Sequence, residues 1–160
     1  MPERSFAASV EPVARTLAAD NRELLAFARA QPLEFWDRPS VVDGWTNRDI
    51  LAHTGGGNDQ LLQIFLRAVI ARKPLGPETF DIDTDAANAR GVERRRAWPI
   101  ERVIAEVEEG GEETQDLLSQ LTDADRDVRS GAPMTLGDFL RIVHRERHDH
   151  LHLQQLRASP

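Results

Sequence analysis

A chain of 160 residues that is 40% hydrophobic can bury one continuous core, and its formal net charge of −7 discourages contact with a phosphate backbone. Its basic side chains are arginines apart from Lys73, and their one dense cluster, Arg94-Arg95-Arg96 beside Glu93 and Glu101, reads as a solvated helix face, so no nucleic-acid partner is expected. The absence of cysteine excludes disulfides and thiolate metal sites, leaving His, Asp and Glu to hold any metal.

The N-terminal stretch carries charges every few residues where a secretory signal would need an unbroken apolar run. No uncharged run approaches the ~20 residues that cross a bilayer. The expectation is a cytoplasmic protein with no membrane partner, folded as one domain over residues 1–160 with no linker.

In chain order, apolar residues at spacings of three and four (Val10, Val13, Leu17, Leu24, Leu25, Phe27) predict an amphipathic helix over residues 6–30, closed by Pro32. The segment QPLEFWDRPSVVDGW predicts an ordered loop that tucks Phe35 and Trp36 against the bundle. A second helix starts at Thr46, a good N-cap, with Asp49 placed to complete a capping box and Trp45 and Ile50 to staple the turn. Its stripe is expected to run through Ile50, Gly57, Leu61, Ile64, Phe65 and Ala68, with His53 within about 60° of the stripe centre and so pointing inward.

A polar connection after Pro74 and Pro77 precedes a short helix near residues 84–96. Pro99 opens a helix that runs through Ile100, Val103, Val107, Leu117, Leu118 and Leu121, with Gly110-Gly111 as a point of kinking. After the loop TDADRDVRSGAPM, Thr135 and Asp138 repeat the cap of the second helix, and one last helix carries Leu136, Leu140, Ile142 and Val143 into HRERHDHLHLQQL. No alternating β-branched run occurs, so the class is all-α.

Four of the five histidines, His144, His148, His150 and His152, fall in that last helix. Residues four apart share a face, so His148 with His152, or His144 with His148, can point at one ion, whereas His150 lies ~200° around from His148. Two ligands are too few for a site, and His53 on the buried face of another helix is the natural third. The competing reading makes His53 a hydrogen-bonded core residue and the others solvated. Gly55-Gly56-Gly57 weaken a helix interior by roughly 1 kcal/mol each, so they either clear space for a substrate beside the histidines or let another helix pack closely.

GWTNRDILAH, followed about a hundred residues later by HDHLHLQQL, resembles the DinB/YfiT-like metalloenzyme superfamily, which includes mycothiol-dependent maleylpyruvate isomerases and bacillithiol transferases. The resemblance covers the chain in helix order. It implies a four-helix bundle of up-down-down-up topology with an extra short helix, and a divalent ion, zinc or nickel, on His53, His148 and His152, with His144 a bystander. It also implies a homodimer. Many relatives carry an acidic residue soon after the first histidine, where this chain has the three glycines and then Asn58-Asp59.

Three neutral imidazoles leave a divalent ion its full charge and an open position, which suits catalysis. Water there becomes a hydroxide nucleophile, giving a hydrolase, or a low-molecular-weight thiol becomes a thiolate, giving a thiol-dependent transferase or isomerase acting on a small-molecule substrate. Imidazole by itself does not choose among zinc, nickel, copper and iron. None of Asp49, Asn58, Asp59 and Asp149 is assigned as general acid or base. The alternative class is a non-enzymatic helical binding or stress-response module whose histidines are structural.

Overall fold

The computed structural model describes residues 4–55, 58–81 and 83–159, and among them it is all-α, with a single β-bridge between Pro39 and Thr46. Expectations resting on Gly56 and Gly57 lie outside the described residues, as do those on the side chains of Asn58 and Asp59. The helices are α1 (Glu11–Arg29), α2 (Asn47–Thr54), α3 (Asn58–Ile70), α4 (Thr84–Arg95), α5 (Ile100–Ser119), α6 (Leu136–Glu146) and α7 (His148–Ala158). None is long and apolar enough to cross a membrane.

Two of these pairs correct the sequence reading, since the second and the last bundle helices are each broken. The second divides into α2, ending at Thr54, and α3, starting at Asn58, and the last divides into α6 and α7 at Arg147. The buried face of α3 differs from the one expected. Leu62, Phe65, Leu66 and Val69 are buried, while Ile64, expected on the inner stripe, is 39% exposed. Helix α1 starts later than predicted, at Glu11, with Pro12 in its first turn where a missing N–H costs nothing.

The path of the chain follows from two apolar cores stacked along the bundle. Val13 and Ala14 at the start of α1, Leu62 to Val69 of α3, Leu117 and Leu118 at the end of α5, and Leu136 and Leu140 of α6 share one core. Leu24, Leu25 and Ala28 at the end of α1, Ile50 to Ala52 of α2, Ile100 to Val107 of α5, and Leu153 and Leu156 of α7 share the other, with Phe35 and Trp36. Helix α1 and the α6/α7 pair therefore run from the first core to the second, and α2/α3 and α5 run back. That is the up-down-down-up order. A parallel second and third helix require the chain to return along the bundle, and α4, packed on α2, makes that return.

The last helix shows why a break is needed. At about 100° per residue, a continuous helix would place Leu153 and Leu156 roughly 220° and 160° around from Leu140, on the opposite side. Both sets of leucines nevertheless face the bundle interior, because Arg147 adopts a left-handed conformation (φ 48°, ψ 60°) and resets the phase by about half a turn.

Local chemistry fixes where α2 begins. Thr46 Oγ1 accepts from the Asp49 N–H at 3.2 Å, and Asp49 Oδ2 accepts from the Thr46 N–H at 3.0 Å, completing the capping box. The arginine cluster departs from expectation: Arg94 and Arg96 are exposed, but Arg95 is fully buried and pairs with Glu106 of α5. An uncompensated guanidinium could not stay there, so the pair locks α4 to α5. Replacing Thr46 with Ala is expected to lower stability by about 1 kcal/mol in urea titration, with Thr46→Ser restoring most of it. A Thr46→Ala midpoint equal to that of the parent chain would show that the cap does not hold this helix.

Candidate metal centre

The three sequence-selected histidines meet where the two cores part. His53 lies in the last turn of α2 and is buried, His148 opens α7 half-buried, and His152 follows one turn later, buried. Nε2 of His148 stands 3.2 Å from Nε2 of His53 and 3.0 Å from Nε2 of His152. The ligand nitrogens of the set all fall within 4.8 Å of one another. The helical break keeps His144 out: it sits exposed on α6, with Nε2 3.0 Å from the Thr16 hydroxyl. His150 is not part of the cluster.

Proton counting shows that hydrogen bonding alone does not satisfy this arrangement. Nδ1 of His152 lies 2.7 Å from Gln155 Oε1, an acceptor, so the ring proton of the neutral imidazole belongs on Nδ1 and Nε2 presents a lone pair. Nε2 of His148 carries at most one hydrogen and can donate to only one neighbour. If His53 donates to it instead, two bare lone pairs face each other at 3.0 Å. A cation at the centre removes the conflict, and nitrogens on a tetrahedral zinc lie about 3.3 Å apart, close to the separations seen here.

Burial and mutual repulsion keep the His53 and His152 rings neutral. Burial pushes the His53 imidazole down from 6.5 to about 3, and the neighbouring rings of His152 and His148 add to the effect. Burial and His148 likewise push His152 down to about 4, against the opposing pull of Gln155 and Asp149. Protons therefore compete weakly for the lone pairs near neutral pH.

Around the rings the bundle is polar and small. Asp149 is buried: Asn21 of α1 donates to its Oδ2 at 2.9 Å, and its Oδ1 is 3.9 Å from His148 Nδ1. Gly111 of α5 stays unsubstituted because a Cβ would meet the Asn21 amide at 2.5 Å. Helix α5 is unbroken through Gly110-Gly111, and of the two it is Gly111 that serves close approach. At Gly55, likewise, a Cβ would press on Val107 and Glu106 of α5 at 3.3 and 3.4 Å, which supports close helix packing for that glycine. A cavity of about 50 Å³ opens beside His148, floored by Leu17, Leu62 and Val143 and edged by Asn21, Gly111 and Asp149. Trp45 lies against His53, ring centroids 5.3 Å apart.

The reading from sequence found the three rings but missed Asn21 and Arg147. The half-turn mismatch between Leu140 and Leu153 was a visible signal of the break. Nothing in the spacing marks Asn21.

An all-α bundle with three imidazoles converging at its middle defines a class of protein able to hold a divalent ion. The chain matches the model of the mycothiol maleylpyruvate isomerase N-terminal domain over residues 7–156, and it belongs to that family, within the DinB/YfiT-like superfamily. No curated protein and no solved structure matches it.

The depressed histidines make a signed prediction for the metal-free protein. The unfolded chain takes up these protons near pH 6.5 and the folded chain only at about 4 and about 3, so the unfolded state binds more protons between those values. Stability should be full above about pH 6.5 and fall as pH drops toward about 4. Thermal unfolding across that range checks it: a double His53→Gln, His152→Gln variant should show a flatter slope, and an equal slope would refute the assignment.

Proposed function

We propose that the protein is a divalent-metal enzyme, with zinc or nickel on His53, His148 and His152, that carries out thiol-dependent transfer or isomerisation of the mycothiol or bacillithiol type. The observation that carries this reading is the convergence of three Nε2 atoms, with separations of 3.0 and 3.2 Å from His148 to its two neighbours and too few hydrogens to bond one another. When bound, such an ion supplies Lewis acidity at an open position, where a thiol loses its proton near neutral pH.

The chain's own residues do the rest. Gln155 fixes the His152 ring so that Nε2 faces the centre. Leu17, Leu62 and Val143 give the cavity beside His148 an apolar wall, which suits the carbon stem of a thiol. Asn21 and Asp149, bonded to each other at its edge, offer a polar contact to a substrate amide or hydroxyl. Family membership supports a thiol cosubstrate over water, and a hydrolase is the second outcome to be tested.

Purified tag-free protein should contain close to one zinc or nickel ion per chain, with His53→Ala losing it and His144→Ala retaining it. Activity is then screened with low-molecular-weight thiols and an electrophilic or cis-olefinic acid. Turnover that requires the thiol supports the proposal, and turnover without it identifies a hydrolase. A metal content near zero under replete conditions would make the chain a non-enzymatic helical module.

A further inference from the structure

Arg147 is the only residue between α6 and α7, and its left-handed backbone is one that side-chain-bearing residues adopt at a cost. Its guanidinium reaches across to α1, where Nε and Nη2 meet the two carboxylate oxygens of Asp20 at 3.0 and 2.5 Å. Asp20 is only 2% exposed. A carboxylate buried this deeply in a helix needs a charged partner, and the two-pronged contact fixes the orientation of that partner as well as its position.

The consequence of the break is geometric. Without it, His144, His148 and His152 would form one row along a straight helix, about 40° apart, and Leu153 and Leu156 would turn out of the second core. With it, His144 stays on the surface against Thr16, and the next two rings swing to His53. We infer that Asp20 and Arg147 form a positioning clamp that holds the left-handed turn and so selects His148 and His152, in place of His144, for the three-histidine centre. The clamp touches neither ion nor substrate; it acts through the backbone that starts α7. This inference rests on the metal reading only for its first test.

The first test measures zinc and cobalt affinity, and the visible absorption of the cobalt form, in the full chain. Asp20→Ala and Arg147→Ala should each weaken binding by about 10- to 100-fold, the range seen when residues that orient ligands are lost. Glycine takes the left-handed conformation freely, so Arg147→Gly should recover most of the affinity and the parent cobalt spectrum. In the Arg147→Gly background, Asp20→Ala should add little. A loss on Asp20→Ala that is equally large in both backgrounds would overturn the clamp and make Asp20 a general packing residue.

The second test needs no metal. The rings of His53 and His148 have centroids 5.1 Å apart, so their protons should give a nuclear Overhauser contact in the metal-free chain. That contact should vanish in Arg147→Ala and return in Arg147→Gly. Persistence in Arg147→Ala, or absence in the parent chain, refutes the clamp. A parent chain that shows the contact but takes up no zinc or cobalt sinks the metal reading and leaves the clamp standing.

Discussion

The structure turns on a shortage of protons. Three imidazole nitrogens are pressed to hydrogen-bond distance inside a protein, and burial holds at least two of those rings neutral. Buried polar groups are tolerated when partnered, and lone pairs facing lone pairs are not partnered. The fold keeps this cluster because both ends of the bundle are apolar and well packed, which frees the middle for a costly arrangement.

That middle is built by interrupting regular structure at one level of the bundle. The last bundle helix is reset at Arg147, α2 ends at Thr54 before α3 begins at Asn58, and α5 presents Gly110, Gly111 and Thr114 where neighbouring turns present Val107 and Leu117. Several polar side chains there are tied to neighbouring helices. Gln63 donates to the Gly110 carbonyl at 3.0 Å, Gln115 to the Ala14 carbonyl at 3.1 Å, and Asn21 to Asp149. These bonds hold the helices around the cluster in place, and rigidity is what a site of fixed ligand geometry requires.

The second half of the design is orientation. An HxxxH pair aims two rings along one face of whatever helix carries it, but not toward any particular neighbour. Here the aim comes from a single residue in a left-handed turn, held by a carboxylate on the first helix. The same turn lets one continuous stretch of sequence serve two cores that a straight helix could not serve together.

Much of this was legible in the sequence. The helical class, the capping box at Thr46, the burial of Phe35 and Trp36 and the inward face of His53 follow from local periodicity, turn chemistry and short-range hydrogen bonding, whereas spacing let His148 pair with His144 or His152 and the family resemblance chose His152. Such signals extend over a few turns of one helix. What they do not determine is relative phase across a break, which is why Ile64 was placed inside and α6 and α7 were read as one helix. Nor do they reveal a partner far along the chain: Asp20 looks like one more charge on an amphipathic helix, and Arg95 like one of three solvated arginines. Sequence alone thus determined which side chains could supply the chemistry, because residue type and helical period are local properties. Only the tertiary structure decided which of them meet, because convergence depends on helix packing and on one backbone turn held by residues distant in the chain.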